Sequence, residues 1–455
     1  MKQNETPRAI DLVHRAVGYS LLLAVIWLPD AVHAQIPAYG FVWANESGSA
    51  SYTPDAFYSY NAGGGDVSIV RNSVGDYWVT FDGLSGVGAN GGHVQVTAYG
   101  GGNDHCKVIG WSDQGVGVTC FDTAGNPVDT RYTMLYWKPE ADTDGVAYAW
   151  ANEPGSASYT PDAFYSYNAG GGDVSIVRNS VGDYMVTFDG LSGVGVNGGH
   201  VQVTAYGGGN ARCKVTSWGD QEVDVACFDP AGNSVDTRYT VLYWKPEADT
   251  DGVAYAWANE PGSASYTPDA FYSYNAGGGD VSIVRNSVGD YMVTFDGLSG
   301  VGVNGGHVQV TAYGGSNARC KVIGWGDQVV GVACFDTAGN PIDTHYTVLF
   351  LKPTIIGTAI EEEDVPEATS LIRHFPNPVS ARATIIYHVD ETAPVRIAIY
   401  DVLGRRIRLL LDEMIPPGTH QVMLDTAGLP SGLYLYGMST AKGMVMRTMV
   451  VTHYY

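Results

Sequence analysis

The stretch that decides the fold is CKVIGWSDQGVGVTC, which runs from Cys106 to Cys120 and has Asp113 at its centre. A hairpin that turns at Asp113 places Cys106 directly opposite Cys120, at the close approach that a disulfide requires. The same register pairs Val108 with Val118. A disulfide that closes this 15-residue loop contributes about 3 kcal/mol in the entropic model of cross-linking. The pattern therefore predicts two antiparallel strands joined by a structural disulfide.

A redox or metal-binding pair is the alternative role for these cysteines. Such pairs are typical of C-x-x-C spacing or of a nearby histidine, and the sequence contains no C-x-x-C. The residue before the first cysteine is His105, but Arg212 and Arg319 stand at the equivalent positions of two further copies of the motif. We therefore predict structural disulfides in the pairs Cys106–Cys120, Cys213–Cys227 and Cys320–Cys334.

The cysteine motif recurs with a period of 107 residues, and Trp43, Trp150 and Trp257 keep the same spacing. A period of this length is too long for a solenoid unit and is typical of a whole domain repeated in tandem. The copies resemble a group of secreted bacterial repeats with the pattern WANxPxxxSYTP, a resemblance that implies secretion and no particular activity. The predicted β repeats cover residues 35–140, 141–247 and 248–354.

Each copy is predicted to consist of short strands. VSIVR and DYWVTF flank a turn within residues 67–81, and HVQVTAY at 93–99 alternates apolar and polar side chains. Seven or eight such strands in about 100 residues predict an all-β fold in which each repeat is a β-sandwich or a small barrel. His93, His200 and His307 begin the three copies of HVQVTAY. On its polar face we expect solvated histidines rather than catalysts.

The N-terminus predicts export from the cytoplasm. Lys2, Arg8 and Arg15 precede the apolar run 18–28, and small residues follow it. This order is typical of a secretory signal peptide, here residues 1–34, which directs a chain through the Sec translocon. An uncleaved anchor is the alternative, but a membrane span needs about 20 apolar residues. No other stretch is long and apolar enough to span a membrane. Because the signal peptide exports the chain, the mature protein is expected to reach an oxidising compartment.

A separate domain is predicted at the C-terminus. Residues 355–372 contain the acidic run EEEDVPE and are expected to form a linker. The three copies, taken as 35–360, carry 13 basic and 33 acidic residues, whereas 373–455 carry eight basic and six acidic residues. This change from a charge of -20 to +2 supports a domain boundary.

The C-terminal domain contains four motifs in sequence, namely FPNP at 375–378, IAIYDVLGRRI at 397–407, PPGTHQVMLDTAGLPSGLYLY at 416–436 and VMRTMVV at 445–451. In these motifs and in their order it resembles the C-terminal sorting domain of type IX secretion substrates. The matching motif residues are Pro376, Asn377, Pro378, Tyr400, Asp401, Gly404, Gly432 and Tyr434. The resemblance implies an Ig-like sandwich that the outer-membrane type IX machinery reads, followed by release or attachment to surface polysaccharide. The chain departs from the family in lacking basic residues at its very end.

The composition and motifs argue against several functions. With 24 basic and 47 acidic residues the chain is strongly acidic, which speaks against nucleic-acid binding. Common hydrolase, metalloprotease and nucleotide-binding motifs are absent from the sequence, and no cofactor is predicted. Asp142 and Asp144, repeated as Asp249 and Asp251, are weak calcium candidates at the junctions. Two carboxylates fall short of the six to eight oxygens that calcium takes, and a solvated acidic linker has the same pattern.

Aromatic residues supply the candidate binding surface, because aromatic faces stack on sugars. In FYSYN, strand alternation places Tyr58 and Tyr60 on one face. The candidate ligand-binding residues are Tyr58, Tyr60, Trp111, Tyr165, Tyr167, Trp218, Tyr272, Tyr274 and Trp325. Packing within a sandwich core is the alternative role for such residues.

Three functions remain open from the sequence. The first is a secreted, non-catalytic repeat protein on the outer face of a Gram-negative cell or in the medium, which binds a glycan or surface polymer and acts in adhesion. The second is a structural spacer or matrix protein of the cell surface. The third, less favoured, is a secreted hydrolase whose site has no recognisable motif.

Overall fold

The structure is a computed structural model, and it describes residues 39–86, 91–138, 145–195, 198–246, 252–300, 305–352, 370–375, 382–400, 405–430, 432–440 and 443–451. Within these ranges the chain is all-β, as predicted, and its only helical segments are short 3₁₀ turns. The predicted signal peptide, the junction aspartates Asp142, Asp144, Asp249 and Asp251, and most of the acidic linker lie outside the described residues. Among the described residues, no helix is long and apolar enough to cross a membrane.

The strands recur with the 107-residue period of the sequence. The first repeat contains β1 Tyr39–Ala44, β2 Ser51–Tyr52, β3 Ser59–Asn61, β4 Val67–Ser73, β5 Asp76–Phe81, β6 His93–Tyr99, β7 His105–Trp111, β8 Gly115–Phe121 and β9 Arg131–Trp137. The second contains β10 Val146–Ala151, β11 Ser158–Tyr159, β12 Ser166–Asn168, β13 Val174–Ser180, β14 Asp183–Phe188, β15 His200–Tyr206, β16 Arg212–Trp218, β17 Glu222–Phe228 and β18 Arg238–Trp244. The third contains β19 Val253–Ala258, β20 Ser265–Tyr266, β21 Ser273–Asn275, β22 Val281–Ser287, β23 Asp290–Phe295, β24 His307–Ala312, β25 Arg319–Trp325, β26 Val329–Phe335 and β27 Tyr346–Leu351.

Each repeat is a sandwich of two antiparallel layers. In the first repeat the inner layer has the order β3-β1-β9-β6 and the outer layer the order β2-β4-β5-β8-β7. Val42, Val94 and Met134 of the inner layer pack against Val79 and Val118 of the outer layer, and all five side chains are fully buried. The outer layer alternates buried and exposed positions along β4, as a sheet with one solvated face does. The sandwich prediction is confirmed, and the described strands do not close into a barrel.

The cysteine hairpin forms in the predicted register, with Cys106 opposite Cys120 and Val108 opposite Val118. Disulfides link the three predicted pairs, Cys106–Cys120, Cys213–Cys227 and Cys320–Cys334. Beyond Val108 the register shifts by one residue, so that Gly110 lies opposite Gly117. This bulge is not visible in the symmetric spacing of the cysteines, because an extra unpaired residue on one strand leaves the hydrophobic pattern intact.

One ion pair in each repeat ties the outer layer to the loop before the last strand. Arg71 donates through both Nε and Nη2 to the carboxylate of Asp129, at 2.9 and 2.7 Å. The backbone N–H of Gly75 and the hydroxyl of Tyr77 also donate to Asp129. Arg178–Asp236 and Arg285–Asp343 repeat the pair. The Arg71 guanidinium lowers the pKa of Asp129 to about 2, so this carboxylate is charged in the folded protein.

The three repeats close into a ring. Strand β7 of the first repeat pairs in parallel with β15 of the second, where Val108 lies opposite Tyr206. The second and third repeats meet in the same way through a parallel bridge between Val215 and Tyr313. Strand β25 of the third repeat returns to β6 of the first, with Val322 opposite Tyr99. We call these three contacts seam 1–2, seam 2–3 and seam 3–1.

Ring closure buries both faces of every inner layer. One face packs on its own repeat, and the other turns toward the axis of the three-repeat ring. Near the start of β6 that axis is filled by apolar side chains from all three repeats, namely Tyr39, Phe41, Leu135, Trp137, Val146, Tyr148, Leu242, Trp244, Val253, Tyr255, Leu349 and Leu351. Further along β6 it is filled by Gln and Thr side chains that bond across the repeats. The polar half of HVQVTAY is therefore an interface rather than a solvated face.

The C-terminal region forms two sheets around its own core. Its strands are β28 Ser370–Phe375, β29 Arg382–Val389, β30 Ala393–Tyr400, β31 Arg406–Ile415, β32 Gly418–Asp425, β33 Gly432–Thr440 and β34 Gly443–Val451. The sheets have the orders β28-β29-β32 and β31-β30-β33-β34. Ile385 of one sheet and Ile397 and Tyr436 of the other share a buried cluster. Two sheets over one core agree with the predicted C-terminal sandwich.

Candidate functional site

Four aromatic side chains meet at each seam, and we call each group a seam cluster. At seam 1–2, Trp111 of the first repeat meets Trp150, Tyr165 and Tyr206 of the second. The centroids of Trp111 lie 5.1 Å from Tyr165, 5.5 Å from Tyr206 and 5.9 Å from Trp150. These rings meet edge to face, which aromatic quadrupoles favour. A cavity of about 50 Å³ lies among the same four side chains.

The other two seams repeat the arrangement. At seam 2–3, Trp218 meets Trp257, Tyr272 and Tyr313, and at seam 3–1, Trp325 meets Trp43, Tyr58 and Tyr99. The corresponding centroid distances at seam 3–1 are 5.1, 5.5 and 5.9 Å. All twelve side chains are half-buried. Each cluster takes one tryptophan from one repeat and three residues from the next, so it is complete only where two repeats meet.

Local structure explains how each side chain reaches its seam. Trp325 ends β25 and Tyr99 ends β6, and these strands pair in parallel at the seam. Tyr58 ends a 3₁₀ turn, Ala56–Tyr58, which Asp55 caps by accepting the backbone N–H of Phe57 at 2.9 Å. The cap fixes the turn because it satisfies a backbone donor that the turn leaves unpaired.

Glycine makes close contact between repeats possible. The backbone N–H of Gly305 in the third repeat donates to the carbonyl of Phe57 at 2.8 Å, and the carbonyl of Gly305 accepts the indole N–H of Trp325 at 2.8 Å. A Cβ on Gly305 would lie 2.3 Å from Cε1 of Tyr58. Gly91 and Gly198 hold the same position at the other two seams.

The two tryptophans of each cluster differ in whether their indole N–H group has a hydrogen-bond partner. The indole N–H of Trp111 donates to Gly91, and those of Trp218 and Trp325 donate to the equivalent glycine carbonyls. The buried indole N–H groups of Trp43, Trp150 and Trp257 have no hydrogen-bond partner among the described residues. An unsatisfied buried donor costs about 1–3 kcal/mol, so each seam cluster keeps a hydrogen-bond donor that an added acceptor would stabilise. Burial also raises the pKa of Tyr58, which keeps its phenol neutral.

The structure divides the predicted ligand-binding residues into two groups. The seam clusters contain Tyr58, Trp111, Tyr165, Trp218, Tyr272 and Trp325. Tyr60, Tyr167 and Tyr274 instead pack against the apolar axis, where Tyr60 lies 5.3 Å from Tyr39 between ring centroids. The expected common face of Tyr58 and Tyr60 therefore does not form. Sequence reasoning missed the Trp43 and Tyr99 positions as site residues, although Tyr99 ends the polar face of HVQVTAY.

The expectation of solvated histidines is wrong. His93, His200 and His307 are each 1% exposed, and Nε2 of His93 lies 2.7 Å from Nε2 of Gln95. His93 also packs on Tyr148 of the next repeat, with ring centroids 5.2 Å apart. Desolvation lowers the pKa of all three histidines to about 3, so they are neutral at neutral pH. Ring closure places them in an interface that a single repeat does not have.

The described parts of the predicted sorting motif lie in the C-terminal sandwich. Tyr434 is buried, and its hydroxyl donates to the carbonyl of Pro430 at 2.8 Å. Tyr400 ends β30 and Gly432 begins β33. Pro376, Asn377, Pro378, Asp401 and Gly404 lie outside the described residues. Within the described ranges, no group of three or more His, Cys, Asp or Glu side chains is arranged to hold a metal ion.

Comparison with known proteins identifies the C-terminal region. Residues 373–452 match the secretion system C-terminal sorting domain. The tail carries this sorting-domain match, and the three repeats lie outside it. This confirms the resemblance found in the tail's motifs, and it marks the chain as secreted or displayed at the cell surface.

The repeats have weaker relations to known proteins. No curated protein matches the chain. A solved structure of a polysaccharide lyase aligns with 70% of this chain at 9% identity, with a TM-score of 0.17. The alignment covers 41% of the lyase chain. A TM-score of this size establishes no common fold.

Proposed function

We propose that the chain is a secreted, non-catalytic glycan-binding protein that the type IX secretion system exports by means of its sorting domain. Three seam clusters arranged around one axis support a role in adhesion to a glycan or surface polymer. The proposal depends chiefly on one observation: the same half-buried aromatic quartet occurs at all three seams.

The chemistry of the seam clusters suits a sugar. Tryptophan and tyrosine offer apolar faces on which pyranose rings stack. Each cluster also holds a buried, unpaired indole N–H, such as that of Trp150. Phe164 and Phe271 lie within the capped turns beside two of the clusters, are each 48% exposed, and extend the aromatic surface. Three equivalent sites on one chain strengthen binding to a repeating polymer through effective concentration.

The non-catalytic role is supported by the way the chain uses its histidines. His93, His200 and His307 contact glutamine and aromatic side chains in the interior rather than a carboxylate at a surface cleft. Their low pKa values keep them out of proton transfer near neutral pH.

A structural spacer or matrix protein is the second candidate. The edge-to-face packing favours it, because rings that pack against each other use part of the surface that would stack on sugar. In that case the seam clusters serve to hold the three-repeat ring closed.

Binding to a glycan array distinguishes the two candidates. The mature chain is applied to arrayed plant, algal and bacterial polysaccharides, beside a triple variant with Tyr58→Leu, Tyr165→Leu and Tyr272→Leu. The matched control carries Tyr60→Leu, Tyr167→Leu and Tyr274→Leu, which removes three tyrosines from the apolar axis. Near-UV circular dichroism and thermal unfolding confirm that each variant is folded.

We expect the mature chain to retain at least one polysaccharide and the seam variant to lose at least tenfold in apparent affinity, while the axis control binds as the parent does. The absence of any retained polysaccharide, or equal binding by folded parent and seam variant, would rule out the seam clusters as glycan sites.

Export is tested separately. Cells that produce the full chain, or the chain without residues 373–455, are separated into periplasm, surface and medium. We expect the full chain at the surface or in the medium and the truncated chain in the periplasm. Equal delivery of both forms would contradict the role of the sorting domain.

A further inference from the structure

A second cavity, distinct from the seam clusters, lies on the axis of the three-repeat ring. Its volume is about 60 Å³, and all three repeats line it. Thr97, Thr204 and Thr311 contribute one side chain from each repeat. Since a cavity needs about 10–15 Å³ for one water-sized position, this one holds four or more oxygen atoms.

Basic side chains dominate the charge of this axial cavity. Arg212 and Lys214 line it from the second repeat, and Arg319 and Lys321 line it from the third. Asp104 is the one carboxylate among its lining residues. Four cations and one anion give the lining a formal charge of +3, within repeats whose net charge is -20. The cavity lining therefore differs in sign of charge from the repeats as a whole.

These cations are buried and incompletely paired. Lys321 is 2% exposed, and its Nζ has no hydrogen-bond partner among the described residues. Arg319 is 8% exposed, and it donates through Nε to the backbone carbonyl of Asn103 and through Nη1 to the backbone carbonyl of Asp336. Its Nη2 has no partner among the described residues. Nζ of Lys214 donates to the backbone carbonyl of Ser316 at 2.8 Å. A carbonyl group carries no formal charge, so this bond does not neutralise the lysine.

Repeat 1 makes the cavity asymmetric. His105 stands where the other repeats have Arg212 and Arg319, and its Nε2 lies 3.1 Å from the carbonyl of Asn210. Desolvation lowers the pKa of His105 to about 3, so this side chain adds no charge near neutral pH. Lys107, the first-repeat equivalent of Lys321, is 1% exposed and its Nζ also lacks a described partner.

Burying unpaired cations is expensive, because charge loses its hydration in the interior. Desolvation lowers the pKa of Lys214 to about 7 and that of Lys321 to about 8. A bound anion would offset this cost, since charge-assisted hydrogen bonds are about twice as strong as neutral ones. Uncharged polar or apolar residues would have filled the position without that cost.

We propose that the axial cavity is a binding site for one tetrahedral oxyanion, a sulfate or a phosphate group. Arg319 and Lys321 supply donors from the third repeat, and Arg212 and Lys214 supply donors from the second. The group arrives either as the free ion or as a sulfate or phosphate ester of a saccharide. The seam clusters are not required for this site.

The test measures binding to the mature chain by isothermal titration calorimetry at constant ionic strength. The probes are sodium sulfate, sodium phosphate and a sulfated oligosaccharide, with sodium chloride as the reference. Binding of free sulfate or phosphate supports the site and identifies the free ion as sufficient. Binding of the sulfated oligosaccharide alone supports the site and identifies the ester as the ligand. No heat from any probe beyond that of chloride overturns the proposal.

Two lysine variants provide matched readouts. Lys321→Met removes a cation that lines the cavity, and we expect it to weaken oxyanion binding at least tenfold. Lys352→Met removes another buried lysine of the third repeat, which donates to the carbonyls of Leu298 and Asp327 outside the cavity. We expect this control to bind as the parent does. Equal affinities of the two folded variants would contradict the proposed location.

Asp104→Asn tests the same site in the opposite direction. It removes the single carboxylate of the lining, so we expect tighter oxyanion binding, by threefold or more. A gain in affinity cannot arise from misfolding. If Asp104→Asn left the affinity unchanged or weakened it, the electrostatic basis of the proposal would be wrong.

Discussion

Closure of the ring can be tested at one glycine. Gly305 of the third repeat lies against Tyr58 and Phe57 of the first, far away in the sequence. Gly305→Ala adds one carbon to that seam. The glycine has no left-handed backbone conformation, so the substitution acts through space rather than through backbone strain.

The cost follows from the contacts of the added carbon. Its Cβ would lie 2.3 Å from Cε1 of Tyr58 and 2.7 Å from Cε1 of Phe57, whereas carbon atoms normally approach to about 3.5–4.0 Å. The seam must open by about 1 Å, and overpacking of this kind costs about 1–3 kcal/mol. The hydrogen bond from Gly305 to Phe57 is weakened as well, at about 0.5–1.5 kcal/mol. After the gain of about 0.4–1 kcal/mol from a less flexible unfolded chain, a net loss of about 2–3 kcal/mol is expected.

Urea unfolding, followed by tryptophan fluorescence and near-UV circular dichroism, measures the loss. Gly91→Ala makes the same change at seam 1–2, where a Cβ would lie 2.4 Å from Cε1 of Tyr165. Gly262→Ala is the control, because a Cβ there meets no atom within 4 Å. In a closed ring, Gly305→Ala and Gly91→Ala lower the free energy of unfolding by similar amounts, and Gly262→Ala does not.

An open row of repeats gives a different pattern. The third repeat would then have no repeat following it, so Gly305→Ala would match the Gly262→Ala control while Gly91→Ala still destabilised the protein. That result would refute the ring.

Three further predictions concern stability. Arg71 lowers the pKa of Asp129 to about 2, so the ion pair stabilises the fold fully above the unfolded-state pKa of about 4, and this stabilisation is lost as the pH falls towards 2. Asp129→Asn should therefore lower the melting temperature at pH 7 but much less at pH 2. Replacing Cys106 and Cys120 together by alanine should cost about 3 kcal/mol in chemical unfolding, and thiol titration of the unreduced parent should find no free thiol. Thr97→Val removes a buried donor at the axis and should cost about 1–3 kcal/mol, whereas an unchanged unfolding midpoint would contradict the inter-repeat hydrogen bond.

Local patterns in the sequence predict the individual repeat. The spacing of Cys106 and Cys120 correctly predicts a hairpin and a disulfide, because antiparallel pairing is a local relation. The alternation of HVQVTAY correctly places Val94 and Val96 in the core. The same alternation predicts that its polar side chains face solvent, because a single repeat offers them no other partner.

The ring supplies partners that no local pattern reveals. The hydroxyl of Thr97 donates to Oε1 of Gln309, and Thr204 and Thr311 make the same bond to the glutamines of their preceding repeats. Each Gln–Thr pair joins residues of different repeats, so its partner is set by assembly rather than by strand pattern. For the same reason, the sequence does not show that Trp111 and Tyr165 belong to one seam cluster. The two residues are 54 positions apart and belong to different repeats.

Closure also changes what a binding experiment must contain. An isolated second repeat carries Trp218 on one edge and Trp150, Tyr165 and Tyr206 on the other. It therefore has a residue for each of the four positions of a seam cluster, but these residues do not meet. Failure of a single repeat to bind a glycan would therefore not contradict a glycan-binding role. The axial cavity has the same property, since its cations come from two repeats and its threonines from three. A seam cluster therefore needs at least two adjacent repeats, and the axial cavity needs all three. A single isolated repeat that bound with full affinity would place either site elsewhere.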